Sequence, residues 1–263
     1  SRAAATFWCG RAELAAGRIP RAIDRFRAAL EAAPAADLRF AADLFLASAF
    51  RQLRELRTAY AYLEDAVQEI GMADPFVSPY LDPGEFVAEP TWLFQLSQSR
   101  ELLTFATRLG SALAEKLPPA RRAAFLRLHA DASERLAGRL QGEALAAAGR
   151  PDDAAALSAR ASGLLVDAAD SWLALVDAVE PVLPAGRCAY QAALDLHEVG
   201  RFSEAIRAFR TYLAECHFED PMQPHALALL GACFRKLAMQ ERALEAYARC
   251  ILQFPDAFPD AYL

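Results

Sequence analysis

Apolar side chains recur every three or four residues along most of this chain, the spacing that lays one stripe along an α-helix. The clearest run is residues 224–255, PHALALLGACFRKLAMQERALEAYARCILQFP. Leu227, Leu230, Gly231 and Phe234 share one helical face, Ala243, Tyr247, Cys250 and Ile251 share the next, and Pro255 ends the second helix. The theme returns in residues 186–221, with Ala189, Leu196, Gly200, Phe202, Ala205, Phe209 and Leu213; Gly200 stands where a first helix must turn. Residues 3–34 carry it in Gly10, Gly17, Ile19, Ala22, Phe26, Ala29, Leu30 and Pro34. Residues 40–71 carry it more loosely, in Ala47, Phe50, Leu56, Ala59, Leu63 and Ala66, with Arg54 in place of the turn glycine. Helix pairs of about 34 residues cannot bury their faces alone, so units of this kind must stack.

The centre departs from the pattern. Residues 72–90 hold four prolines and the aromatics Phe76, Tyr80 and Phe86, and read as a long loop. Thr91 is placed to cap a helix running to about Glu115. Two apolar-periodic runs, 119–148 and 151–179, flank the turn Gly149-Arg150-Pro151 and predict a hairpin longer than the other pairs. In it Leu136, Leu140 and Leu145 are expected to oppose Leu157, Leu164, Ala168 and Trp172. The chain thus divides into helix pairs over 1–71, the loop over 72–90, irregular helices and the long hairpin over 91–183, and helix pairs over 184–263.

The alternation of a large residue, Leu-Gly, an aromatic, a turn, then Ala, an aromatic, a small residue and a closing Pro resembles the tetratricopeptide repeat. The resemblance is strong over about 70 residues at each end and weak in the centre. It implies an all-α fold, a right-handed superhelical α-solenoid of antiparallel helix pairs. Gly231 and Ala243 lack bulk where two helices cross, while Phe234 and Tyr247 fill the flanking space, so leucine at position 243 is expected to overpack the crossing. In that family the first helix of each pair lines a groove that receives a peptide or a partner's helix. Carried over, the groove residues are Phe7, Arg11, Leu44, Ser48, Arg51, Arg187, Tyr190, His197, His225, Arg235 and Lys236. The set is basic, which points to an acidic or C-terminal segment as the guest. Ser48 with Arg51 does not reproduce the lysine and asparagine clamp by which some relatives grip chaperone C-termini. The loop aromatics Phe76, Tyr80 and Phe86 either form a second docking surface or fold back over the irregular centre.

Composition narrows the function. Of 263 residues 55% are hydrophobic and 24% charged, too apolar for a disordered chain, and the formal charge of −6 argues against nucleic-acid binding. No run nears the roughly 20 apolar residues that span a bilayer. Only Lys116 and Lys236 among 28 basic residues are lysine, a skew read as the codon bias of a GC-rich bacterial genome. The five cysteines, Cys9, Cys188, Cys216, Cys233 and Cys250, form no CxxC and cannot pair completely; buried free thiols and a reducing compartment are expected, hence the cytoplasm, or the periplasm if a leader has been removed. Cys216, His217, His225 and Cys233 are the densest group of metal-ligand types, without zinc spacing, so no metal or cofactor is expected. No nucleophile elbow, GxxxxGK or GxGxxG run appears, and His129 and His197 read as solvated. Asp152-Asp153 and Glu219-Asp220 read as helix starts rather than catalytic pairs. Residues 256–263, DAFPDAYL, look like the opening of another helix, so a fragment of a longer protein, or ends covered by a partner, is expected. The sequence reading is a noncatalytic scaffold or adaptor in a hetero-complex, with the regulatory or substrate-recruiting region of a larger enzyme as the alternative.

Overall fold

The computed structural model describes residues 1–70, 72, 77–82, 84–86, 88, 99–119, 122–147, 149–178, 183–216 and 220–255. Contacts group the chain into two compact units, Ser1–Pro118 and Pro119–Leu263. The first contains α1 (Arg2–Ala15), α2 (Ile19–Glu31), α3 (Ala36–Gln52), α4 (Leu56–Glu69) and α5 (Arg100–Lys116). The second contains α6 (Ala123–Ala146), α7 (Pro151–Val176), α8 (Ala185–Glu198), α9 (Phe202–Glu215), α10 (Gln223–Lys236) and α11 (Gln240–Gln253). Neighbours in sequence pack as antiparallel pairs, each pair stacks on the next within its unit, and first helices of successive pairs touch: α1 with α3, α8 with α10. Both units are α-solenoid stacks of tetratricopeptide-like helix pairs.

Four pairs share one register. Each begins with a small residue on the first helix: Gly10, Ala47, Ala193 or Gly231. Seven positions on stands a left-handed turn residue, Gly17, Arg54, Gly200 or Ala238, with φ of 73°, 62°, 79° and 58°. The turns close alike: the amide of the next residue reaches back to a carbonyl five positions earlier, as Arg18 does to Glu13 and Met239 to Phe234. Twelve positions on from the small residue lies a buried alanine (Ala22, Ala59, Ala205, Ala243), and sixteen on a large residue (Phe26, Leu63, Phe209, Tyr247) that packs against the first helix. The small residues let the helices close up: a Cβ on Gly10 would stand 2.8 Å from the Phe26 ring, and one on Gly231 2.5 Å from that of Tyr247.

The long hairpin of α6 and α7 is present, with a different seam from the expected one. Leu136, Leu140 and Ala144 are buried against a stripe of Ala161, Leu165, Ala168 and Trp172. Leu145 is 80% exposed, because Ala144 takes the seam and the next residue points about 100° further round the helix. Leu157 and Leu164 are only half-buried. Asp152 and Asp153 lie in the first turn of α7, where Asp153 pairs with Arg150. Thr91 falls outside the described residues; α5 is capped instead at Ser99, whose Oγ accepts from the Leu102 amide at 3.2 Å.

Candidate functional site

The groove residues divide by unit. In the first, Phe7 and Leu44 are interior, with 0% and 2% of their surface exposed, so neither can meet a guest. Phe7 lies among the rings of Phe26, Phe45 and Tyr80, at centroid distances of 5.6–5.7 Å. Ser48 and Arg51 are half-buried. Arg11 is engaged: its guanidinium lies 4.5 Å from the Phe45 ring centroid, donates to Glu85 at 2.6 Å and reaches the Tyr80 carbonyl at 3.4 Å.

The described part of the 72–90 segment is what occupies this face. Tyr80 packs edge-on to Phe7 and against Trp8, Leu81 is buried, and Phe86 is buried beside Phe40 with ring centroids 5.4 Å apart. Phe86 is therefore core, Tyr80 is half-buried, and Phe76 lies outside the described residues. The described part of the segment covers the first-helix face of α1 and α3. Composition flagged the aromatics; the role of Glu85 as the carboxylate on Arg11 carried no sequence signal, since 74 positions separate the two.

In the second unit Arg187, His225, Arg235 and Lys236 are exposed on α8 and α10. Tyr190 is buried, and its hydroxyl lies 2.6 Å from His225 Nδ1, joining the two first helices. Half-buried His197 lies edge-on to Phe202; burial first, then the neighbouring His225 and Lys236 against the opposing pull of Glu198, hold its pKa below the ordinary histidine value. This face is cationic and open. Among the described residues none of Arg187, Arg235 and Lys236 has a carboxylate within ion-pair distance.

The other candidate chemistry resolves into structure. His129 is half-buried rather than solvated, its Nδ1 2.8 Å from Ser171 Oγ, and burial lowers its pKa. Cys188, Cys233 and Cys250 are buried, while Cys9 is exposed and Cys216 half-buried, so interior thiols account for three of the five. Burial pushes the Cys233 thiol up to about 11, which removes it as a nucleophile. His217 and Glu219 lie outside the described residues; Asp220 accepts from the Met222 amide in the turn before α10. Among the described residues no three His, Cys, Asp or Glu side chains converge as a metal site, and no helix is long and apolar enough to cross a membrane. One polar cluster escaped the sequence reading. Glu134 accepts from Trp172 Nε1 at 2.6 Å, and burial together with that carboxylate drives the pKa of Asp195 far above the carboxylate range. With Asp195 4% exposed, this is a protonated, interior link between α6, α7 and α8 rather than an open site.

No family model matches the chain, and no curated protein matches it. Among solved structures it is similar to the tetratricopeptide domain of P58(IPK), at 17% identity and TM-score 0.38, over 98% of this chain and 63% of that one. It is also similar to a thermophilic tetratricopeptide protein of Thermus thermophilus, at 18% identity and TM-score 0.32, over 81% and 91% of the two chains. A third is a signal-transduction ATPase with a tetratricopeptide sensor from Pyrococcus horikoshii, at 16% identity and TM-score 0.31, where 98% of this chain covers 43% of that one.

Proposed function

We propose that this chain is a noncatalytic scaffold that holds an acidic segment of a partner protein against the first-helix face of α8 and α10, as a cytoplasmic subunit of a hetero-complex. One observation carries the reading. In the first unit the corresponding face already holds the described part of the 72–90 segment, seated by the Tyr80 ring on Phe7 and the Glu85 carboxylate on Arg11. The second unit offers the same kind of face with its cations, Arg187, Arg235 and Lys236, unpaired among the described residues. Arginine suits such a guest because its planar fork takes a carboxylate through two hydrogen bonds. A single exposed pair contributes only about 0.2–1 kcal/mol, so a guest must engage several cations together.

The test is charge reversal. The double variant Arg235→Glu/Lys236→Glu changes two exposed side chains and leaves the core intact, so it is expected to fold normally and to lose retention of its native complex partner in a pull-down with purified components. Retention unchanged by the reversal, or a wild-type chain that retains no component of its native complex, would refute the reading.

A further inference from the structure

A cleft lies away from the first-helix face, between α9 and α11 with α10 as its floor. The two units use the same device at equivalent positions, and one of them lacks a part. In the first unit Arg27, just after Phe26, lies 5.4 Å from the ring centroid of Phe50. In the second, Arg210, just after Phe209, lies 5.6 Å from that of Phe234, three positions after Gly231 as Phe50 is three after Ala47. In the first unit a third residue completes the arrangement. Tyr62 stacks on Phe50, with centroids 5.5 Å apart and planes at 7°, and its hydroxyl accepts from Arg27 Nε at 3.4 Å. The position equivalent to Tyr62 in the second unit is Ala246.

The missing ring leaves space. A cleft of about 280 Å³ opens beside Ala246, Leu230 and Phe234, with Arg210, Arg242 and Arg249 around it. Pockets for whole small molecules begin at roughly 300 Å³, so this one is sized for a single large side chain. Its charge is lopsided: three guanidiniums face one carboxylate, Glu245, in a chain whose net charge is −6. Arg242 reaches only the Met239 sulfur, at 3.9 Å, and none of the three arginines has an ion pair among the described residues.

We infer that this cleft binds a tyrosyl side chain of a partner protein flanked by acidic residues. The ring takes the place that Tyr62 fills in the first unit, beside Phe234 and over Ala246. Its hydroxyl accepts from Arg210, and neighbouring carboxylates meet Arg242 and Arg249. Phe234 is 4% exposed, so side chains now over its ring must shift as the guest enters; Arg210 already lies as Arg27 does beside a filled site, 5.6 Å from the Phe234 centroid against 5.4 Å from that of Phe50 with Tyr62 in place. Each contact is of a kind already made inside this protein.

The probe is an acetylated, amidated peptide Glu-Glu-Tyr-Glu-Glu, titrated into the isotope-labelled full chain and followed by amide NMR shifts. Shifts are expected to cluster around Ala246 and Arg249, with the Tyr-to-Ala peptide and the peptide with lysines flanking tyrosine each binding about tenfold more weakly. Arg210→Gln is expected to weaken binding by a similar factor. Ala246→Tyr supplies the ring from within, and is expected to abolish binding while raising the melting temperature. The inference is overturned if the alanine peptide binds as tightly as the tyrosine peptide, if Ala246→Tyr binds unchanged or fails to fold, or if no shifts appear near Ala246. Arg242→Glu, an exposed rim change, supplies the loss-of-binding test in a variant whose core is untouched. Arg235→Glu/Lys236→Glu should leave peptide binding intact; a loss there would move the contact to the first-helix face and overturn the site while sparing the proposed function.

Discussion

Alanine at Gly231 and alanine at Gly163 should change stability in opposite directions, although both replace glycine within a helix of the same unit. A Cβ at Gly231 would stand 2.5, 2.7 and 2.8 Å from Cε1, Cδ1 and Cζ of Tyr247. That ring is held where α10 and α11 cross, so the helices must separate or the ring must leave its place. Overpacking of this kind costs about 1–3 kcal/mol, and the better helix propensity of alanine returns about 1. The expected net is a loss of about 1 kcal/mol. Gly163, exposed near the middle of α7, has nothing within 4 Å of its would-be Cβ, so only the propensity gain of about 0.8–1 kcal/mol remains. Urea unfolding followed by circular dichroism should therefore separate the two variants by about 2 kcal/mol. Trimming the ring with Tyr247→Leu should reduce the penalty at Gly231. The reasoning is refuted if Gly231→Ala is at least as stable as the wild type, since the crossing would then have room that the geometry denies.

Two further outcomes follow from backbone and burial. Arg54 and Ala238 hold left-handed turns that cost a side-chain-bearing residue about 1–2 kcal/mol, partly offset by the entropy glycine adds to the unfolded chain, so Arg54→Gly and Ala238→Gly should each stabilise by about 0.5–1 kcal/mol in the same urea assay. Asp43, 5% exposed on α3, has its pKa raised to about 7 by burial first and by Asp65 and Glu69 after it, against the opposing pull of Arg39. A folded pKa above the unfolded value means its contribution is full below about pH 4 and lost as pH rises through 7, so the stability of Asp43→Asn relative to wild type should grow by about 2–3 kcal/mol between pH 5 and pH 8. A pH-independent difference would sink that account.

The fold was legible because the repeat writes its geometry into residue size. Gly10 and Ala22, or Gly231 and Ala243, are small because helices cross there, and the aromatic that follows fills the space they leave. Periodicity set the helices of the long hairpin within a few residues but misassigned Leu145, since near a helix end one step of register decides between seam and solvent and an alanine can take the seam. The groove list failed at Phe7, Leu44 and Tyr190 for a different reason. A first helix in a stack touches its own partner, the preceding pair and the groove, so a position that points generally inward can be wholly enclosed. The turn at Arg54 was readable as an exception to glycine, whereas Ala238, in the pair that matched the pattern best, hides the same strain behind a small side chain.

The basic groove and the cleft raise one question of charge: how a chain of net charge −6 comes to offer two cationic faces. Some of its acids are already committed. Glu85 is committed to Arg11, Glu69 to Arg39 and Glu64 to Arg108, and Asp195 is protonated in the interior. The second unit leaves Arg187, Arg235 and Lys236 on one surface, and Arg210, Arg242 and Arg249 on another, without such partners among the described residues. Net charge therefore governs long-range encounter, which here disfavours polyanions such as nucleic acid, while the unpaired positions govern what can be held at contact. A guest suited to both conditions is a short segment with a few carboxylates beside a ring rather than a long polyanion. That is also the composition of what the first unit already holds on its own surface, Tyr80 and Glu85 against Phe7 and Arg11.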